Sequence, residues 1–264
     1  YMWLYMSETE NKPVILYDYQ STRASTCPKN FLGEYYDGYL QTDGYAGYNS
    51  VKNATRIYCL AHIRRKFHEV IVHLDKETLK KSRALIGFNY CEEIYKLEKE
   101  LREEHANVDN YYDIRFETRI EKLAPILDDF VKYIDKEIPD ALPKSPLGKA
   151  LDYAKKHIPS LKNVLLDGRL DVDNNCAERA IKPFVIGRKN FLFSNTAKGA
   201  TASATLYSII ETSKANNLYV ENYLTFLFDS LAKHSVNNPL DLDNLMPWSE
   251  TLPSKCRLTK KIHK

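Results

Sequence analysis

The chain has 264 residues, 44% of them hydrophobic, and a formal net charge of only +3. That is enough apolar residue for a real core, in one large domain or a domain with a sizeable insertion. So mild a charge permits nucleic-acid binding without arguing for it, and basic residues must be judged where they cluster. The five cysteines (Cys27, Cys59, Cys91, Cys176, Cys256) are odd in number and widely spaced, which fits a reduced, cytoplasmic setting. The sequence shows neither a secretory signal nor an apolar run of about 18 residues, so no membrane span is expected. The chain opens on "YMWLYM" and "PVILYDYQ", rich in aromatic and β-branched residues, which predict two strands joined by the polar loop "SETENK". "STCPKNFLGEYY" predicts a short helix, "GYLQT" a strand ending in the turn signal "DGY", and "ATRIYCLAH" a strand running into the helix "IRRKFHEVIVHL". Strands with helices between them are an α/β pattern.

From residue 75 to 165 the character changes to amphipathic helices. "LIGFNYCEEIYKLEKELREE" spaces Ile86, Tyr90, Ile94, Leu97 and Leu101 three to four apart, and "RIEKLAPILDDFVKYI" repeats the pattern with a bend at Pro125. "PKSPLGKALDYAKKHIPSLKNVL" then leads into "LDVDNNCAERAIKP". There Asn174 and Asn175 stop what precedes them. With Asn175 as N-cap, Glu178 takes the third helical position of a capping box, and Pro183 breaks the pattern. "GRKNFLFS" reads as basic residues before a strand-like run. Two helices follow, "GATASATLYSIIETSKANN" and "VENYLTFLFDSLAKH". Residues 236–264, rich in Pro and polar residues, read as a partly disordered tail.

Two carboxylates sit where chemistry can use them. Asp43 ends a predicted strand in "LQTDGY", and Glu178 starts a helix. On the residues alone each also has an ordinary reading, a turn for Asp43–Gly44 and a cap for Glu178. Carboxylates at strand ends and helix starts can converge on a divalent cation, and Mg²⁺ takes a few of them together with waters and phosphates. Cys59 and His62 have Cys-x-x-His spacing, half a zinc site at most, so a structural role near the site is expected for them. Arg64 and Arg65 continue onto a helix. Arg179, Arg188 and Lys189 place positive charge close to Glu178 in sequence. Such charge suits a polyanionic substrate, while a solvated helix face is the alternative for Arg64 and Arg65.

The segments "VILYDYQSTR", "FLGEYYDGYLQTDGYAGYN", "CLAHIRRKF", "KSPLGKALDYA", "LDGRLDVDNNCAERAIKPFVIGRKNFLFS" and "GATASATLYSIIETSKANNL" come in one order. Together they resemble the transposases of bacterial insertion sequence family sixty-six, and "LMPW" resembles that family's C-terminal segment. The resemblance covers nearly the whole chain; the family usually carries Trp where this chain has Leu60. It implies an α/β, ribonuclease H-like mixed sheet with a helical insertion before the last acidic residue. The core would occupy 1–74 and 166–235, the insertion 75–165 and the tail segment 236–264. It implies an Asp-Asp-Glu triad holding two Mg²⁺ (or Mn²⁺) ions, with Asp43 matching the second Asp and Glu178 the Glu. It also implies DNA ends and target DNA as partners, and phosphodiester cleavage and strand transfer as the reaction. A homo-oligomer is a further expectation.

In the family the first Asp sits on a strand upstream of the segment matching "YMWLY". The chain is therefore expected to be an N-terminally truncated catalytic domain whose sheet lacks its first strand, inactive by itself. The alternative is a non-catalytic relic that binds DNA or multimerises. Asp18 does not replace the missing Asp in this reading. In the implied order 3-2-1-4-5 it lies three strand spacings from Asp43, about 14 Å, whereas paired catalytic metals sit about 4 Å apart.

Overall fold

A computed structural model describes residues 1–9, 12–191, 194–233 and 242–258. The strands are β1 (Met2–Thr9), β2 (Lys12–Tyr19), β3 (Tyr39–Thr42) and β4 (Thr55–Tyr58). The helices are α1 (Thr26–Leu32), α2 (Leu60–Ile71), α3 (Lys76–Lys81), α4 (Arg83–His105), α5 (Tyr111–Thr118), α6 (Ala124–Glu137), α7 (Pro146–Leu161), α8 (Asn175–Ala180), α9 (Lys182–Phe191), α10 (Ala197–Ala215) and α11 (Val220–Lys233). The fold is mixed α/β and mostly helical. Where the sequence predicts one mixed sheet, the described strands form two pairs, β1–β2 antiparallel and β3–β4 parallel, because none of them bridges the two. Contacts divide the chain into two units, Ala24–Asn175 and Tyr1–Arg23 with Cys176–Lys264. The segments 1–74 and 166–235 drawn from the sequence are thus each shared between units.

In Ala24–Asn175 the core is built by α2, α4, α6 and α7 around β4. Phe67, Ile63, Ile94, Leu127, Phe130, Leu151 and Ile158 are fully buried. Burial of each such side chain contributes about 1.5–3 kcal/mol. Ser145 accepts the Gly148 N–H and Pro146 opens α7, where a missing N–H costs nothing. The inward face of α4 is Ala84, Gly87, Cys91, Ile94, Glu98 and Leu101. Of the face predicted through Ile86, Tyr90, Ile94, Leu97 and Leu101, Ile94 and Leu101 are buried and Tyr90 and Leu97 pack against the core, while Ile86 is 47% exposed. Gly87 faces inward because a Cβ there would come within 2.4 Å of the Phe67 ring. Glu98 faces inward because two arginines meet it, Arg115 of α5 and Arg119 of the π-helical turn Arg119–Leu123. The bend expected at Pro125 falls just after this turn, in the first turn of α6.

In the other unit β2 lies along α10. The free edge of β2 is closed by α10 side chains four residues apart. Thr212 Oγ1 accepts from Ile15 N and donates to Ile15 O, Ser208 Oγ accepts from Tyr17 N, and Asn216 Nδ2 donates to Pro13 O. The periods match: four helical residues rise about 6 Å and two strand residues about 6.7 Å. Pro13 has no N–H, and at this edge position only its carbonyl needs a partner. α10 ends in a Schellman motif, with Asn217 at φ 57°, Leu218 N on Ser213 O and Asn217 N on Lys214 O.

Two further expectations are corrected in this unit. The basic residues of "GRKNFLFS" lie in α9, which runs on to Phe191; Pro183 sits in the first turn of α9, where it ends α8 and starts the next helix. Leu192 and Phe193 lie outside the described residues. The tail is packed over residues 242–258: Leu252 and Cys256 join Leu218, Tyr223 and Leu227 in a buried cluster, and Tyr219 N donates to Cys256 O. Residues 234–241 and 259–264 lie outside the described residues.

Candidate functional site

β3 ends at Thr42, so Asp43 stands at the carboxyl end of the parallel pair, the side on which α/β sheets hold their sites. Asp43 Oδ1 accepts the Tyr45 N–H at 3.0 Å, an Asx turn. Arg56 of β4 holds the same turn with its guanidinium, donating from Nη2 to Thr42 Oγ1 and to Asp43 O.

Behind the turn lies a cluster that the sequence reading missed. Tyr58 stacks on His157, with ring centroids 3.8 Å apart, and its hydroxyl meets that of Tyr153. A Cβ on Gly44 would lie 2.6 Å from Tyr58 Oη and 3.5 Å from His157, so glycine is required by close approach. Burial first, then the charges of Lys156, Arg56 and His62, lowers the His157 pKa to about 4. The signal for this cluster was present in "ALDYAKKHIP", where Tyr153 and His157 share a helix face.

Cys59 is the N-cap residue of α2 and is fully buried. Its Sγ accepts the Asn174 N–H at 3.4 Å, and burial pushes its thiol up to about 11, far from the thiolate a metal takes. His62, one turn on, meets the Tyr58 ring edge-on. Among the described residues no group of three His, Cys, Asp or Glu is placed to hold a metal ion.

The run into α8 is pinned residue by residue. Gln41 Nε2 donates to Asp171 O, Leu60 N to Val172 O, and the Tyr95 hydroxyl to Asp173 Oδ2. Asn175 is the first residue of α8 and not its cap; Asp173 Oδ1 accepts the Asn175 N–H at 3.0 Å. The capping box centred on Asn175 is corrected accordingly. Glu178 lies exposed in the first turn of this helix.

Of the predicted basic residues, Arg64 pairs with Glu92 and covers the Phe88 ring at 4.6 Å, while Arg65, its neighbour on α2, is exposed. Arg179 Nη2 donates to Cys176 Sγ, and Arg188 and Lys189 are exposed in the last turn of α9. Asp18 lies opposite Trp3 in the hairpin and accepts from Gln20 Nε2 at 2.9 Å. Asp43, Cys59, His62, Arg64 and Arg65 thus belong to Ala24–Asn175, and Glu178, Arg179, Arg188 and Lys189 to the other unit. An open cleft of about 670 Å³ on α10, lined by Pro183, Ser203, Leu206, Tyr207, Ile210 and Lys214 among others, contains none of the predicted site residues. Among the described residues no helix is long and apolar enough to cross a membrane.

Comparison with known proteins adds to this. The chain is similar to three proteins of Sinorhizobium fredii (strain NBRC 101917 / NGR234). It is 28% identical to uncharacterized protein y4qI over 94% of the chain and 46% of that protein. It is 28% identical to y4hP over 89% of the chain and 44% of that protein, and 27% identical to y4jD over 90% and 46%. The chain therefore spans about half the length of these relatives. No solved structure matches it. The profile described as "Transposase IS66 family" matches residues 1–202, and by that match the chain belongs to the IS66 transposase family.

Proposed function

We propose that this chain supplies part of the catalytic core of a DDE-type DNA transposase, with Asp43 and Glu178 as two carboxylates of its metal site. The observation that carries the reading is the state of the strand edges. The outer edge of β2 is closed by Ser208, Thr212 and Asn216, and that of β4 by Asn163, whose Nδ2 donates to Arg56 O. β1 and β3 each pair with a single strand among the described residues. An antiparallel and a parallel pair, each with one edge closed, are compatible with the strand pairings of a ribonuclease H-like sheet.

The donor set suits a hard cation. Asp43 offers carboxylate oxygen at the end of β3, and Glu178 follows by three residues the point where Asn175 is held through Asp173. Oxygen donors favour Mg²⁺ or Mn²⁺, and the Cys59 sulfur is engaged by the Asn174 N–H. Two such ions, when bound, would activate the attacking oxygen and stabilise the leaving one. Asp43 and Glu178 hold that charge in place, and the exposed Arg65, Arg179, Arg188 and Lys189 neutralise phosphate along the DNA. Arg64 joins them only by giving up Glu92.

The test is Mn²⁺ binding by the chain, followed by electron paramagnetic resonance. Asp43→Asn and Glu178→Gln should each weaken binding about tenfold or more, as loss of a ligand does. Binding untouched by both substitutions would remove the site assignment.

A further inference from the structure

Between the end of α7 and the start of α8 the chain makes only a short 3-10 turn, Lys162–Leu166, and then irregular backbone. Irregular connections are ordinarily the mobile part of a fold. This one is clamped. Arg119 Nη1 donates to Val164 O at 3.1 Å and to Asp167 O at 3.3 Å. Arg115 donates from Nη1 to Gly168 O at 3.2 Å and from Nη2 to Asp171 Oδ1 at 2.8 Å. Gly168 crosses α5 so closely that a Cβ would meet Tyr112 O at 1.9 Å. The hub is Glu98. Its two carboxylate oxygens are divided between the two arginines, Oε1 to Arg119 and Oε2 to Arg115, at 2.7 Å each. One turn earlier on α4, the Tyr95 hydroxyl takes hold of Asp173.

A buried Arg-Glu-Arg set is seldom the most stabilising way to fill a core, since apolar residues of similar volume do as well or better. What charged groups add is direction: each bond here ends on a defined atom of 164–173. That run stops a few residues short of Glu178. A metal-holding carboxylate must be kept within about 0.5 Å of its working position, and an unclamped connection does not do that.

We propose that Tyr95, Glu98 and Arg115 are positioning residues for the Glu178 carboxylate, acting through the segment Val164–Asn175. The proposal rests on the reading of Glu178 as a metal carboxylate. It assigns the helices that interrupt the core a task in the reaction: they hold the entry to the last acidic residue.

The experiment uses the chain itself with Mn²⁺ as the probe. Tyr95→Phe removes one hydroxyl and leaves the ring; Arg115→Lys keeps a charge for Glu98 and loses the fork that reaches Gly168 and Asp171. Each should weaken Mn²⁺ binding about tenfold, the loss typical when an outer partner of a metal ligand is removed. Neither should weaken it further in a Glu178→Gln background. Tyr133→Phe is the control, because that hydroxyl donates to Arg83 O at the far end of α4; it should leave Mn²⁺ affinity unchanged. If Glu178→Gln itself leaves binding intact, the metal reading and this proposal both fall. If Glu178→Gln weakens binding and Tyr95→Phe does not, the proposal alone is overturned, and Tyr95→Phe suffices should Arg115→Lys not fold. Equal losses in Tyr95→Phe and Tyr133→Phe would also overturn it, since general loosening would then explain both.

Discussion

The largest buried polar set of Ala24–Asn175 is charged, while in the other unit the groups that serve the edge of β2 are hydroxyls and an amide. Glu98, Arg115 and Arg119 form one connected set in which each guanidinium depends on the same carboxylate. Burial alone would raise the Glu98 carboxyl, but Arg119 and Arg115 together hold it below the usual carboxylate range. Ser208, Thr212 and Asn216 form a ladder in which each rung serves a different residue of β2. A connected charged set fails as a whole, because losing one member strands the others in low dielectric. A ladder fails rung by rung. The first arrangement fits a place where a backbone path must be fixed, and the second fits an edge that only has to be kept closed.

The largest expected effect tests the charged set. Glu98→Ala leaves Arg119, 0% exposed, without its carboxylate and should cost about 3–5 kcal/mol. Urea unfolding followed by thiol labelling at Cys91, buried on α4, reports this unit. Replacing Glu98, Arg115 and Arg119 together by apolar residues should recover most of that loss while leaving the run 164–173 unclamped. A loss below about 1 kcal/mol for Glu98→Ala would mean that the set is not coupled as described.

Next comes the ladder. Thr212→Val keeps shape and removes the oxygen that serves both Ile15 N and Ile15 O. Leaving these buried groups unpaired should cost about 1–3 kcal/mol. Labelling at Cys256, buried in the cluster with Leu218 and Tyr223, reports this unit. The midpoint at Cys256 should move and that at Cys91 should stay. Equal movement at both would show that the two units unfold as one.

The same contrast explains what the sequence revealed. Strand and helix order were legible because period and turn chemistry act locally: "GYLQTDGY" places Asp43 after β3, and "RIYCLAH" places Cys59 where β4 passes into α2. The inward Glu98 of α4 was missed because it counts as an outward residue until Arg115 and Arg119, seventeen and twenty-one residues away, come to meet it. Nothing local marks such a meeting. The ladder was hidden for a related reason, since Ser208, Thr212 and Asn216 look like polar interruptions of a helix until β2, over 190 residues earlier, lies beside them. That Arg188 and Lys189 belong to a helix was missed, although Pro183 in the first turn of α9 was a helix signal. At the candidate site, Asp43 and Glu178 were proposed from motif, whereas Tyr58, Tyr153 and His157 needed the packing of α7 against β4.

The smallest expected effect concerns His157, which faces Tyr58, Tyr153 and Gly44 and feels the charges of Lys156, Arg56 and His62. Its pKa falls from 6.5 to about 4 on folding, so between those values the unfolded chain holds a proton that the folded chain has released. Stability then rises with pH across that window and is unaffected by this group on either side of it. Glu98 acts in a lower window. Its folded pKa is depressed, so its contribution is complete above the ordinary 4.5 and is lost as pH falls through the folded value. His157→Gln should therefore flatten the pH dependence of the Cys91 labelling midpoint between about 4 and 6.5 and leave the steeper fall below it. Because His157 is only half-buried, solvent screens much of the effect and the change in slope should be small. A slope unchanged by His157→Gln would mean that the imidazole titrates alike in both states, and that the cations around it do not act on it.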